Sequence, residues 1–98
     1  MVKNDSKLKP KRRKAVFLIH APEAKEVCMA GDFNEWMAKK HHLKKNADGV
    51  WGKITFLFPG RYEYKFIVDG KWELDPDNHR MCANRFGTHN NVITILAK

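Results

Sequence analysis

"RYEYKFIVDGKWEL", residues 61–74, decides the fold. Successive side chains of a strand point to opposite faces. Tyr62, Tyr64, Phe66 and Val68 therefore share one face, and Arg61, Glu63, Lys65 and Ile67 share the other. The first set reads as core. Asp69-Gly70 follows, a pair preferred in the two-residue type I′ hairpin turn, where both central residues need positive φ. Residues 71–74, "KWEL", form the return strand, and Asp75-Pro76 stops it.

Working outward, the same signals recur. "AVFLIH", 15–20, and "EVCMA", 26–30, are short runs of strand formers ended by turn residues. "VWGKITFLF", 50–58, is a further strand, entered through the Asp48-Gly49 turn and broken by Pro59-Gly60. "NVITIL", 91–96, is a β-branched strand near the end of the sequence. Residues 37–49 and 75–91 are mostly polar and are expected to be irregular. No segment carries a helical apolar stripe of useful length. Six or seven short strands with turn signals predict an all-β, immunoglobulin-like antiparallel β-sandwich. Phe33, Tyr62, Tyr64, Phe66 and Ile93 or Ile95 are its expected core.

The 98 residues allow one domain with a true core, at 43% hydrophobic and 11% aromatic content. The net charge of +8 is unevenly placed. Residues 1–14, "MVKNDSKLKPKRRK", hold seven of the nineteen basic residues and one of the eleven acids, which leaves only +2 for residues 15–98. The first 14 residues are expected to be a basic, disordered tail, and 15–98 the folded domain. A nearly neutral fold argues against a broad phosphate-tracking groove, so nucleic acid is not an expected partner. The longest early apolar run, 15–19, cannot span a membrane, and no secretory signal precedes it. The expected location is the cytoplasm. Cys28 and Cys82 are the only cysteines and form no CxxC. Buried free thiols are the first expectation, and one disulfide is the alternative.

No catalytic constellation is legible. Glycosidases need paired carboxylates across a scissile bond, and here most acids sit in turns, as Asp69 and Asp75 do. No phosphate-binding glycine loop exists. His41 and His42 are adjacent and point oppositely on extended backbone, so spacing sets no metal site; only folding would add a third ligand. An enzyme, a cofactor and a metal are therefore not expected.

What remains is three tryptophans. Trp51 lies on a long strand and reads as structural. Trp36, in "GDFNEW", and Trp72, in "DGKW", read two ways. Each packs inward as a large apolar side chain, Trp72 sharing its parity with Leu74, or each stands out as a flat apolar platform. Such a platform suits a pyranose ring, whose C–H face stacks on indole while its hydroxyls pair with polar groups. Lys65 and "GTHNN", 87–91, supply polar groups of that kind.

Three motifs, "VCMAGDFNEW", "GRYEYKFIVDGKWELDP" and "FGTHNNVI", extend across almost the whole folded region. Together they resemble the family 48 carbohydrate-binding modules, the early-set group that includes the glycogen-binding domain of the AMP-activated protein kinase β subunit. The resemblance implies non-catalytic binding of an α-1,4-glucan such as glycogen, starch or a maltodextrin. It implies stacking on Trp36 and Trp72, a hydroxyl contact from Lys65, an apolar side chain at Phe86 where Leu is usual, and polar contacts from Thr88 and Asn90. Met37 and His89 also depart from the usual pattern. The alternative is a protein partner: a scaffold or interaction subunit of a glucan-metabolising enzyme or kinase complex.

Overall fold

The computed structural model describes residues 11–97. Two antiparallel sheets face one another. The smaller has the order β1 (Arg13–His20), β4 (Val50–Leu57), β3 (Lys44–Lys45). The larger has the order β2 (Val27–Gly31), β5 (Gly60–Val68), β8 (His89–Ile95), β7 (Met81–Ala83), and β6 (Lys71–Glu73) pairs the far end of β5. Single 3₁₀ turns occupy Asp32–Asn34 and Ala38–Lys40. This is the immunoglobulin-like β-sandwich that the alternation implied.

The core lies between the sheets and is built by alternation. On β1 the buried residues are Ala15, Phe17 and Ile19, with exposed residues between them. Phe17 meets Tyr64 edge-on at 5.0 Å and Phe33 at 5.6 Å, geometries that suit the ring quadrupoles. Tyr64, Phe66 and Ile95 are buried, and Phe33, Tyr62 and Ile93 pack partly buried against them. Trp51 is buried as a structural residue, and its indole N–H donates to the Ala21 carbonyl at 2.9 Å. Cys28 and Cys82 are free thiols, Cys28 buried and Cys82 half-buried.

Several boundaries differ from the sequence reading. Strand β1 takes in Arg13 and Lys14, which pair with Leu57 and Phe56. Residues 1–10 of the expected tail lie outside the described residues. Within 75–91, expected to be irregular, β7 pairs with β8, which begins at His89. That pairing was hidden because β7 contributes one half-buried residue, Cys82, between two exposed ones. A strand with so little buried surface carries no apolar period. No helix among the described residues is long and apolar enough to cross a membrane.

Candidate functional site

The outward face of the five-stranded sheet gathers the residues singled out above. The hairpin comes first. Val68 pairs with Lys71 across Asp69 and Gly70, which have φ of 49° and 84°, as a type I′ turn requires. The Asp69 carboxylate also accepts from the amides of Lys25 and Glu26 at 2.8 Å, which ties the turn to the start of β2. The register sets Trp72 opposite Ile67 on the outward face, and Trp72 is 53% exposed. Leu74 is exposed as well, so the inward reading of this pair fails.

The segment "GDFNEW" divides its side chains among three tasks. Phe33 turns inward beside Phe17, Tyr62 and His41. Asn34 is buried; its carbonyl accepts from the Gly31 amide at 3.0 Å, and its amide donates to the Met29 carbonyl at 3.1 Å and to His41 Nδ1 at 2.9 Å. Glu35 and Trp36 then take left-handed backbone, φ 56° and 60°, which non-glycine residues seldom adopt. Two successive left-handed residues turn the chain so that Trp36 faces the hairpin. Gly31 starts this turn because a Cβ there would lie 2.6 Å from the Glu63 carbonyl oxygen and 2.9 Å from the Phe33 ring. Asp32 fixes the result. One of its oxygens accepts from Trp36 Nε1 at 3.0 Å, and the other accepts from the Glu63 amide of β5 at 2.8 Å.

The two indoles end with centroids 6.4 Å apart and planes at 51°. They are tilted rather than stacked, so together they form a bent trough. Trp36 is half-buried and Trp72 exposed.

The polar flank is built around Asn84. Its side-chain oxygen accepts from the amides of Phe86 and Thr88, and its NH₂ donates to Thr88 Oγ1 at 2.8 Å and Asn90 Oδ1 at 3.0 Å. Phe86 is thereby held at the tip of a turn, 77% exposed, with the Arg85 guanidinium 5.2 Å from its ring centroid. Lys65 is buried in the central strand, and its ammonium donates to Thr88 Oγ1 at 3.3 Å. With two donors already on its oxygen, Thr88 keeps its hydroxyl hydrogen for an outside acceptor. Asn90 is buried, donating to Glu63 at 3.0 Å while accepting from Asn84. The Asn90 bond, then the Arg61 guanidinium, hold the Glu63 carboxyl below the usual range.

Asp32, Asn34 and Asn84 were not singled out from sequence. Asn34 and Asn84 are short polar residues that bond backbone within a few positions, a common habit of turn residues. Asp32 bonds the Trp36 side chain and a strand amide 31 positions on, and nothing in the spacing of the three marks what they hold. Asp69 and Asp75 are accounted for structurally. Asp75 accepts from the Tyr64 hydroxyl at 2.7 Å, and its amide donates to Asn91.

Residues 15–98 match the family described as the glycogen recognition site of AMP-activated protein kinase, and the chain belongs to that family. It is 34% identical over 82 residues to Protein FLOURY ENDOSPERM 6, chloroplastic, of Oryza sativa subsp. japonica, covering 84% of this chain and 15% of that one. It is 40% identical over 72 residues to Protein PTST homolog 2, chloroplastic, of Arabidopsis thaliana, covering 74% and 13%. It is 36% identical over 92 residues to 5'-AMP-activated protein kinase subunit beta-2 of Mus musculus, covering 93% and 33%. The chain thus spans a third or less of the length of these relatives. Among solved structures, a maltogenic amylase from S. marinus contains the same fold, with TM-score 0.74 and 25% identity over 86% of this chain and 14% of that one.

Proposed function

We propose that this module binds α-1,4-glucan, without catalysis, in the trough between Trp36 and Trp72. The observation that carries the reading is the pair of indoles, Trp36 half-buried and Trp72 exposed, 6.4 Å apart and inclined at 51°. An α-1,4-linked chain curves, so consecutive glucose rings present their C–H faces at an angle to one another. A V-shaped pair of platforms meets two such rings, whereas a flat β-1,4-linked ribbon would touch only one. Lys65 and Thr88 donate to ring hydroxyls. Phe86 offers an exposed apolar tip on the turn that leads into β8, and Asn90 acts mainly by holding Asn84 and Glu63. Membership of a glycogen-recognition family supports the ligand class.

The test is a titration of tryptophan fluorescence with a cyclic maltodextrin, with a cellulose-derived oligosaccharide as control. Covering one indole face and the sugar against it removes roughly 120 Å² from water, about 3 kcal/mol at 25 cal/mol/Å², of which polar desolvation takes back a part. Trp36→Ala and Trp72→Ala are each expected to weaken binding by about tenfold or more. Unchanged affinity in both variants overturns the reading.

One observation favours a second, compatible reading in which the module docks on a protein. Val16, Leu18, Ile54 and Phe56 stand about half exposed on the outward face of the smaller sheet, away from the indoles. Paired Trp36→Ala and Trp72→Ala changes would spare such docking while abolishing glucan pull-down, and charged residues at Ile54 and Phe56 would do the converse.

A further inference from the structure

Strand β2 brings a second chemistry to the same sheet face. Its free edge is bridged by the loop after the second 3₁₀ turn: the Met29 amide donates to the His41 carbonyl at 3.0 Å and the Leu43 amide to the Val27 carbonyl at 2.9 Å. Cys28 and His42 are therefore a non-hydrogen-bonded antiparallel pair, the kind in which side chains approach most closely. Glu26 lies two residues before Cys28 and so projects to the same side. Its backbone is fixed by bonds in both directions with Asp69.

The result is three different ligand atoms around one point. Cys28 Sγ lies 3.3 Å from His42 Nδ1, and the same Nδ1 lies 3.5 Å from Glu26 Oε2. All three atoms are within 4.8 Å of one another. Hydrogen bonding serves this arrangement only in part. A single imidazole nitrogen offers one hydrogen or one lone pair, so Nδ1 serves the thiol and the carboxylate together only by sharing one hydrogen between them. A cation satisfies it directly, because all three groups then direct lone pairs to one centre. With metal–ligand bonds of about 2.0–2.3 Å and tetrahedral angles, neighbouring ligand atoms fall about 3.3–3.6 Å apart, which the two measured edges match.

We propose that Glu26, Cys28 and His42 form a binding site for a thiophilic divalent cation, with Zn²⁺ the expected occupant. Thiolate, imidazole and carboxylate are the donor set this ion prefers. Three protein ligands leave the fourth position to solvent, on which side the Glu26 and His42 side chains are 63% and 55% exposed. The thiolate that binds the ion is formed by loss of the Cys28 thiol proton on uptake. The site sits beside the trough: Cys28, Ile67 and Trp72 lie in one cross-strand row, which sets Cys28 about 10 Å from Trp72 at the usual strand spacing.

The probe is Co²⁺ added to the reduced 98-residue chain in the absence of glucan, read by the thiolate-to-metal charge-transfer band, with Zn²⁺ competition measured in the same cuvette. The expected result is one equivalent bound with a thiolate band that Zn²⁺ displaces. Cys28→Ser removes the band, and the surface changes Glu26→Gln and His42→Gln, which leave the core intact, each weaken binding on the order of tenfold. Cys82→Ser leaves the band unchanged. The absence of a thiolate band, or a band that persists in Cys28→Ser and disappears in Cys82→Ser, overturns the proposal.

Discussion

Replacing Asp32 by Ala separates the placing of a platform from the platform itself. The carboxylate touches no ligand in the proposed pose. It holds Trp36 Nε1 at 3.0 Å and the Glu63 amide at 2.8 Å. Losing the first bond releases an indole that must be ordered again on binding, at a cost of about 1 kcal/mol for one side chain. That corresponds to roughly a fivefold weaker dissociation constant. Losing the second leaves a strand amide to water, about 1 kcal/mol of stability or less. The expected outcome is thus a roughly fivefold loss of maltodextrin affinity by calorimetry, with a fall of a few degrees in melting temperature. Asp32→Asn, which keeps an acceptor, should recover part of both. The decisive measurement is the double-mutant cycle with Trp36→Ala. Once Trp36 is gone there is no ring to hold, so Asp32→Ala should cost no further affinity. An equal loss in both backgrounds, or no loss in the first, refutes the positioning role.

Two further outcomes follow from buried polar groups. Asn91 is fully buried, accepting from the Asp75 amide at 2.7 Å and donating to the Asn78 carbonyl at 3.0 Å. Asn91→Ala should cost about 2–4 kcal/mol, a drop on the order of 10 °C in thermal melts, because these backbone groups lose their partner inside the fold. His41 accepts from the Asn34 amide at Nδ1, and burial, then Lys53 and Lys40, hold its pKa below the ordinary value. Between the lowered folded pKa and the ordinary value near 6.5 the unfolded chain binds more protons, so the stabilisation is fully present above about pH 6.5 and is lost as pH falls through the folded value. Denaturant melts should show this slope, and His41→Gln should flatten it.

The strand pattern was open to inspection in the sequence because a half-buried strand must alternate. Residues 62, 64, 66 and 68 alternate with mostly polar neighbours, whereas 15–19 is an unbroken apolar run whose inward set, 15, 17 and 19, only the structure separates. Asp69-Gly70 announced its own turn, since its positive φ values belong to the residues and not to their surroundings. The six expected glucan contacts were visible only through three motifs taken together. Residue type alone left Trp36 and Trp72 balanced between core and surface, because an indole suits either.

The tertiary structure settled where those rings face, since that depends on partners far along the chain. Asp32 reaches Glu63, 31 positions on, to fix one indole, and the pairing of β6 with β5 turns the other outward. Lys65, expected as a hydroxyl contact, is buried, because β2 and β8 flank the central strand that carries it. Glu26, Cys28 and His42 carry no metal-ligand motif. Alternation along β2 aligns the first two, but only the bridge across its free edge delivers the third. Local backbone preference fixes periods and turns within a few residues, whereas a site assembled from three segments exists only once the sheets have chosen their register.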